Sequence, residues 1–182
     1  VTGGGIHCSG GPCVHLGLSG STVGVNYMLY LGATAVGAFA GTGSALDFGL
    51  HTVGGVYTVK GTSTVSGCSV NMAGAATIGV IPTVTPIVNL NVTPDDTVCT
   101  GATATFLPVA VYGGTAPVYS WSVNGIPVSV SGSYTFVPAD GDVVTVTMTS
   151  NAICPSPATV SRSVTMEVQP FAMPAVSVAL LP

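Results

Sequence analysis

Five cysteines, three histidines and six carboxylates are the residues of this 182-residue chain best suited to holding a metal, moving a proton or closing a covalent cross-link. Four of the cysteines fall into two widely spaced pairs, Cys8 with Cys68 and Cys99 with Cys154, separated by 60 and 55 positions. In a secreted chain such spacing reads as a disulfide framework, each bridge tying a module's first strand region to a late hairpin. Chain entropy puts each such bridge at about 4 kcal/mol. Cys13 is left over, either as a buried free thiol or bonded to a neighbouring subunit, and an alternative or intermolecular pairing of the set stays open. His7, Cys8, Cys13 and His15 are close enough in sequence to raise zinc, but their spacing matches no common zinc template and an oxidising setting favours disulfides. His51 reads as an ordinary turn residue.

The carboxylates are scarcer still as a site. Asp140 and Asp142 flank a glycine, and Asp95-Asp96 stand as a pair, so both can be weighed as calcium ligands. Calcium takes six to eight oxygens, and neither pair has further carboxylates close by in sequence, so an Asx-type turn is the expected role. Asn91-Val92-Thr93 fits an N-glycosylation sequon, with Pro94 following, and Thr97 lies in the acceptor-like run Asp96-Thr97-Val98. No nucleophile elbow, phosphate loop or paired carboxylate outside a turn is present, and no cofactor is implied. The chain reads as non-catalytic.

These residues sit in a chain that carries almost no charge. Lys and Arg total two, Asp and Glu six, only 4% of residues against roughly a quarter in an ordinary domain, while 47% are hydrophobic. A membrane span by helix needs about 20 consecutive apolar residues, and small polar residues or prolines interrupt every apolar stretch. One Trp, six Tyr and five Phe are too few for the aromatic girdles of a barrel. Two basic residues supply no phosphate-binding stripe, which argues against nucleic acid as a partner. With no initiator Met and no signal peptide, the expectation is a mature or excised piece.

The elements that position the candidate residues are strands. Gly, Ser, Thr and Val dominate, and 25 Gly with 13 Pro punctuate short runs. In 143–149, Val144, Val146 and Met148 alternate with threonines, and in 163–168, Val164, Met166 and Val168 alternate with Ser163, Thr165 and Glu167, the mark of sheets with one buried face. Further strands are expected at 14–18, 26–31, 45–48, 56–61, 75–80, 103–111, 118–123 and 133–136. Trp121 reads as a core residue on a strand running into an Asn124-Gly125 hairpin turn, and Tyr57, just past a Gly-rich turn, suits a tyrosine corner.

Pro82 and Pro86 bracket a connector, giving a module over 1–82, another over 83–170, and a linker with a strand over 171–182. The first module, broken by Gly3-Gly4-Gly5, is expected to lack a full first strand. The run 174–182 is similar to 86–94, so Val176, Val178 and Leu180 are candidates for a strand donated to a neighbouring subunit or continuing into a further repeat.

Gly3-Gly4-Gly5-Ile6-His7-Cys8-Ser9-Gly10-Gly11, Leu16-Gly17-Leu18-Ser19-Gly20-Ser21, Gly41-Thr42-Gly43-Ser44-Ala45-Leu46-Asp47-Phe48-Gly49 and Gly55-Val56-Tyr57-Thr58-Val59 resemble the repeats of large secreted Bacteroidetes surface proteins, the Ig-like or PKD-like arrays associated with gliding adhesins and type IX secretion. Tyr119-Ser120-Trp121-Ser122-Val123-Asn124-Gly125, Tyr134-Thr135-Phe136-Val137-Pro138-Ala139-Asp140-Gly141-Asp142 and Thr147-Met148-Thr149-Ser150-Asn151 are similar to a companion module. Cys13 and His15 depart from that pattern. The resemblance covers nearly the whole chain. It implies an all-β protein of two tandem Ig-like antiparallel sandwiches with an extra C-terminal strand, extracellular and without enzymatic activity. The expected role is a building block of a surface filament, sheath or adhesin array, partnered by copies of itself or neighbouring repeats and by glycans. The alternatives are a passive stalk segment of a monomeric adhesin and a carbohydrate-binding module.

Overall fold

In a computed structural model, described here for residues 1–171, the backbone is all β, in two compact units: Val1–Thr83 and a second that starts at Val84. The first unit holds β1 (Thr2–Gly3), β2 (Gly5–Cys8), β3 (Val14–Leu18), β4 (Val25–Leu31), β5 (Thr34–Ala40), β6 (Leu46–His51), β7 (Gly55–Ser63), β8 (Ser69–Asn71) and β9 (Ala76–Ile81). The second holds β10 (Ile87–Thr93), β11 (Thr97–Cys99), β12 (Ala104–Val111), β13 (Val118–Val123), β14 (Ile126–Ser129), β15 (Tyr134–Phe136), β16 (Val143–Thr149), β17 (Thr159–Thr165) and β18 (Glu167–Gln169).

Each unit is an Ig-like sandwich, and the two share one plan. In the first, a sheet ordered β1-β3-β6 faces a sheet ordered β2-β9-β7-β4-β5, with β8 also on β7. In the second, β10-β12-β15 faces β14-β13-β16-β17, and β11 pairs in parallel with β18. The parallel pair recurs in the first unit, where β2 runs alongside β9. All other pairs of named strands are antiparallel, as expected for short strands joined by tight turns.

Period-two alternation builds both cores. In β7 the inward positions Tyr57, Val59 and Gly61 are buried and meet Tyr27 and Leu29 of β4, Ile78 of β9, and Leu16, Leu18 and Phe48 of the facing sheet. In β16 the inward Val144, Val146 and Met148 are each 0% exposed and pack with Phe106, Trp121 and Met166. Each such side chain contributes roughly 1.5–3 kcal/mol when fully withdrawn from water. Trp121 is 1% exposed, its Nε1–H donates to the Ser131 carbonyl at 2.8 Å, and its ring stands edge-on to Phe106 at 6.4 Å.

The expectation that the first module lacks a full first strand is corrected. Its opening strand is present but split: β1 pairs with β3 in one sheet and β2 with β9 in the other. Gly3-Gly4-Gly5 make the switch, with φ of 89°, 95° and 142°. A Cβ on Gly3 would run into the His15 carbonyl, so a side-chain-bearing residue cannot occupy this crossing without moving the backbone. The glycines that look like a gap are a sheet-to-sheet crossing. The proposed donor residues Val176, Val178 and Leu180 lie outside the described residues.

The two units close the turn before their central strand differently. In the first, the buried Tyr57 hydroxyl donates to the Val53 carbonyl at 2.8 Å, a tyrosine corner. Burial pushes its pKa up. In the second, Asp140 and Asp142 hold the corresponding corner, described below. Tyr57→Phe keeps the ring and deletes the hydroxyl, and is expected to cost about 1 kcal/mol, read as a lower urea midpoint with unchanged slope; an unshifted midpoint would remove the corner from the stability account.

Candidate assembly surface

Asp142 and Asp140 sit at the corner between β15 and β16, and both are committed to the fold. Asp142 Oδ2 accepts the Ala139 N–H at 2.8 Å and its Oδ1 accepts Asn124 Nδ2–H at 2.8 Å. Asp140 Oδ1 accepts the Val168 N–H at 2.9 Å, fastening the start of β18. Asn124 completes the lock: with φ of 52°, followed by Gly125 at 80°, it forms the left-handed turn between β13 and β14, and its Oδ1 accepts the Val143 N–H at 2.9 Å. The carboxylates therefore serve as turn acceptors, and no cluster of three or more metal-ligating side chains exists among the described residues.

The histidines part in the same way. His7, on β2, is buried with its ring nitrogens 2.9 and 3.0 Å from the Cys8 and Thr52 carbonyls. His15, on β3 in the other sheet, is exposed, with Nδ1 3.3 Å from Asp47. Hydrogen bonding by the Gly49 N–H, then by His15, lowers the Asp47 pKa below 3.8. His51 places Nε2 3.2 Å from the Phe48 carbonyl and its ring against Tyr57.

The cysteine pairing departs from expectation. Cys8 and Cys154 are disulfide-bonded, whereas Cys68 and Cys99 are free and exposed, so neither a Cys8–Cys68 nor a Cys99–Cys154 bridge forms. Strand geometry explains why. Cys8 lies opposite Ile81, beyond the Gly55 end of β7, while the Cys68 carbonyl accepts the Ser63 N–H at the other end of β7. Those ends are roughly 26 Å apart at 3.3 Å per residue, and a disulfide needs Cα atoms within about 7 Å. In the second unit Cys99 pairs with Gln169 beyond the Thr165 end of β17, and Cys154 precedes its Thr159 end. Cys13, between β2 and β3, is free and exposed rather than buried.

Two outward faces of the second unit are uncharged and regular. On the outer side of β16 and β17, Thr145 shares a hydrogen bond with Ser163 and Thr147 with Ser161, both at 2.8 Å, in register across the strands. On the outer side of β10 and β12, Ile87 lies opposite Val111, Asn89 opposite Val109 and Asn91 opposite Leu107. The four aliphatic residues of that ladder are 40–52% exposed, so the sequon asparagine Asn91 stands on an outward apolar ladder. Thr97 is exposed on β11. Strand β5, uncharged and free of proline over seven residues, is an edge of its sheet; a bulge at Val36 is the device that interrupts it. Sequence reasoning missed β5, the hydroxyl ladder and the free thiols as a group.

No protein-family description and no curated protein matches the chain. Among solved structures it is similar to the fibronectin(III)-like modules of Clostridium thermocellum CbhA, at 16% identity over 92% of this chain and 90% of that one, with a TM-score of 0.41. It is also similar to the three N-terminal domains of the bacteriophage RB49 Highly Immunogenic Outer Capsid protein, at 15% identity and a TM-score of 0.36, over 79% of this chain. The chain spans about half the length of that capsid structure (48%). The N-terminal four Ig domains of Dscam1 isoform 1.9 match at 14% identity over 80% of this chain and 37% of that one, with a TM-score of 0.34.

Two consequences follow from the acidic residues. Asp142→Ala strands the Ala139 N–H and Asn124, and is expected to lower the urea stability of the second unit by about 1–3 kcal/mol, followed by Trp121 fluorescence. If millimolar calcium stabilises the parent protein but not the variant, the turn-lock role gives way to a metal site. For Asp47 the folded pKa lies below the unfolded one, so its contribution is present above the unfolded value of 3.8 and is lost as pH falls through the folded value. Asp47→Asn should therefore lose less melting temperature than the parent between about pH 5 and about pH 3; equal losses would rule out the linkage.

Proposed function

We propose that the chain is an extracellular structural module that associates side to side or end to end with copies of itself or with neighbouring repeats, as a building block of a surface filament, sheath or adhesin array. One observation carries the reading: two outer faces, on β16–β17 and on β10–β12, are ordered ladders of hydroxyl, amide and aliphatic side chains in register, with no charged residue among them to repel a like surface. A net charge of −4 over 182 residues offers little repulsion between copies. The disulfide supports an oxidising, extracellular setting. Among the described residues no helix is long and apolar enough to cross a membrane. The resemblance to secreted Bacteroidetes repeats supports the same setting and is part of this proposal, as are glycans on Asn91 or Thr97.

The passive-stalk alternative shares the fold and differs only in self-association. The carbohydrate-binding alternative needs an exposed aromatic platform, and Trp121 is spent in the core. Electron micrographs and sedimentation of the purified chain under reducing conditions decide between them. Concentration-dependent oligomers with a repeating spacing are expected; particles that remain monomeric at all concentrations would favour the stalk.

A further inference from the structure

Each unit carries two cysteines in matching places. Cys8 closes β2 and Cys99 closes β11, the strands that pair in parallel with the last described strand of their unit, opposite Ile81 and Gln169. The local hydrogen bonding is the same at both. The next residue donates to the partner carbonyl, Ser9 to Ile81 at 2.8 Å and Thr100 to Gln169 at 2.9 Å. A tight turn then closes, Gly11 N–H to the Cys8 carbonyl at 2.8 Å and Ala102 N–H to the Cys99 carbonyl at 2.9 Å, with Gly10 and Gly101 at φ of 75° and 83°. These two cysteines mark the trailing end of each unit, defined as the end where its last described strand finishes.

The other two occupy the loop between a central strand and the strands that finish the unit. Cys68 follows β7 and Cys154 follows β16. Both sit towards the leading end: Cys154 accepts the N–H of Val84, the first residue of its unit, and Cys68 is beside Ser63, at the end of β7 remote from Ile81. The disulfide-bonded cysteines of the chain, Cys8 and Cys154, are thus one trailing-end and one leading-end residue. Of the three free ones, all exposed, Cys99 and Cys68 are again one of each kind, while Cys13 lies between β2 and β3. The thiol left over at the trailing end of the second unit is the structural equivalent of one that is oxidised, and so is the thiol left over at the leading end of the first.

We propose that Cys99 of one copy and Cys68 of the next form an intermolecular disulfide that joins copies of this chain head to tail. The linkage rests on the assembly reading above and names its covalent contact. Space is available at the acceptor side: Cys68 lines an open groove of about 580 Å³ with Ser21, Tyr27, Gly61 and Met72. The incoming turn, Cys99-Thr100-Gly101-Ala102, bears only small side chains. The chemistry requires a disulfide oxidant such as oxidised glutathione. One protein thiolate attacks it and displaces a glutathione thiolate, giving a mixed disulfide; the second protein thiolate then attacks the protein sulfur of that bond and displaces the other glutathione. Two protein thiols are oxidised, one oxidant is reduced to two thiols, and the two protons pass to the departing thiolates.

The test uses the full chain in a glutathione buffer, quenched by alkylation and run on non-reducing gels. The parent protein is expected to give a ladder of dimers, trimers and larger species that collapses on reduction, and Cys13→Ser is expected to keep it. Cys68→Ser and Cys99→Ser alone should each stay monomeric, and an equal mixture of the two should stop at the dimer, which also shows that both variants present a competent thiol. A parent that stays monomeric, or a single variant that still dimerises or ladders, overturns the linkage. The two readings fail separately. Ordered filaments from the Cys68→Ser/Cys99→Ser double variant, with no ladder from the parent, would sink the linkage and leave assembly standing. A ladder without any ordered particle in micrographs would do the reverse.

Discussion

Cross-strand pairing carries nearly all the polar order of this protein, because there are almost no ions to share the task. With two basic residues in the chain, the only ion-pair contact among the described residues is the exposed His15–Asp47 contact, of a kind that solvent screening keeps weak. Register must then come from backbone ladders, from alternation of buried and exposed positions, and from turns. A one-residue slip of β16 would send Val144, Val146 and Met148 to the outside and three threonines into the core. Hydroxyl pairs such as Thr145 with Ser163 hold the outer face in the same register.

The same constraint explains where the few charged groups went. Asp140 and Asp142 accept N–H groups at a corner that the first unit closes with Tyr57 instead. Two solutions to one problem, an unsatisfied turn beside a central strand, occupy matching places in otherwise parallel architectures. With those two carboxylates spent in this way, the outward ladders on β16–β17 and β10–β12 are left to serine, threonine, asparagine and aliphatics, faces with no charge to repel a neighbour.

Redox chemistry follows from topology rather than from sequence distance. Cysteines about sixty positions apart look like natural partners, yet a strand separates their ends by several times the span of a disulfide. In both units the trailing-end cysteine and the loop cysteine point to opposite ends of the sandwich. The two cannot bridge to each other, and of these four cysteines Cys68 and Cys99 are left as exposed free thiols.

Strands with strong alternation were legible from residues alone: Val14–Leu18, Val118–Val123 and Val143–Thr149 run over the bounds that the alternation predicts. So were the Asn124-Gly125 turn, the tyrosine corner and the burial of Trp121. These depend on period two and on left-handed turn residues, which are properties of a few neighbouring positions. Strand β5, Thr-Ala-Val-Gly-Ala-Phe-Ala, escaped because alanine and glycine carry little strand preference and it is ordered by pairing with β4. The crossing at Gly3-Gly4-Gly5 looks like a break because nothing local says that two different sheets await the segments on either side. The sequence by itself determined which residues face inward and where the chain turns. Which strands pair, and hence at which end of its sandwich each cysteine lies, was decided only by the tertiary structure, because it is set by pairings between residues far apart along the chain.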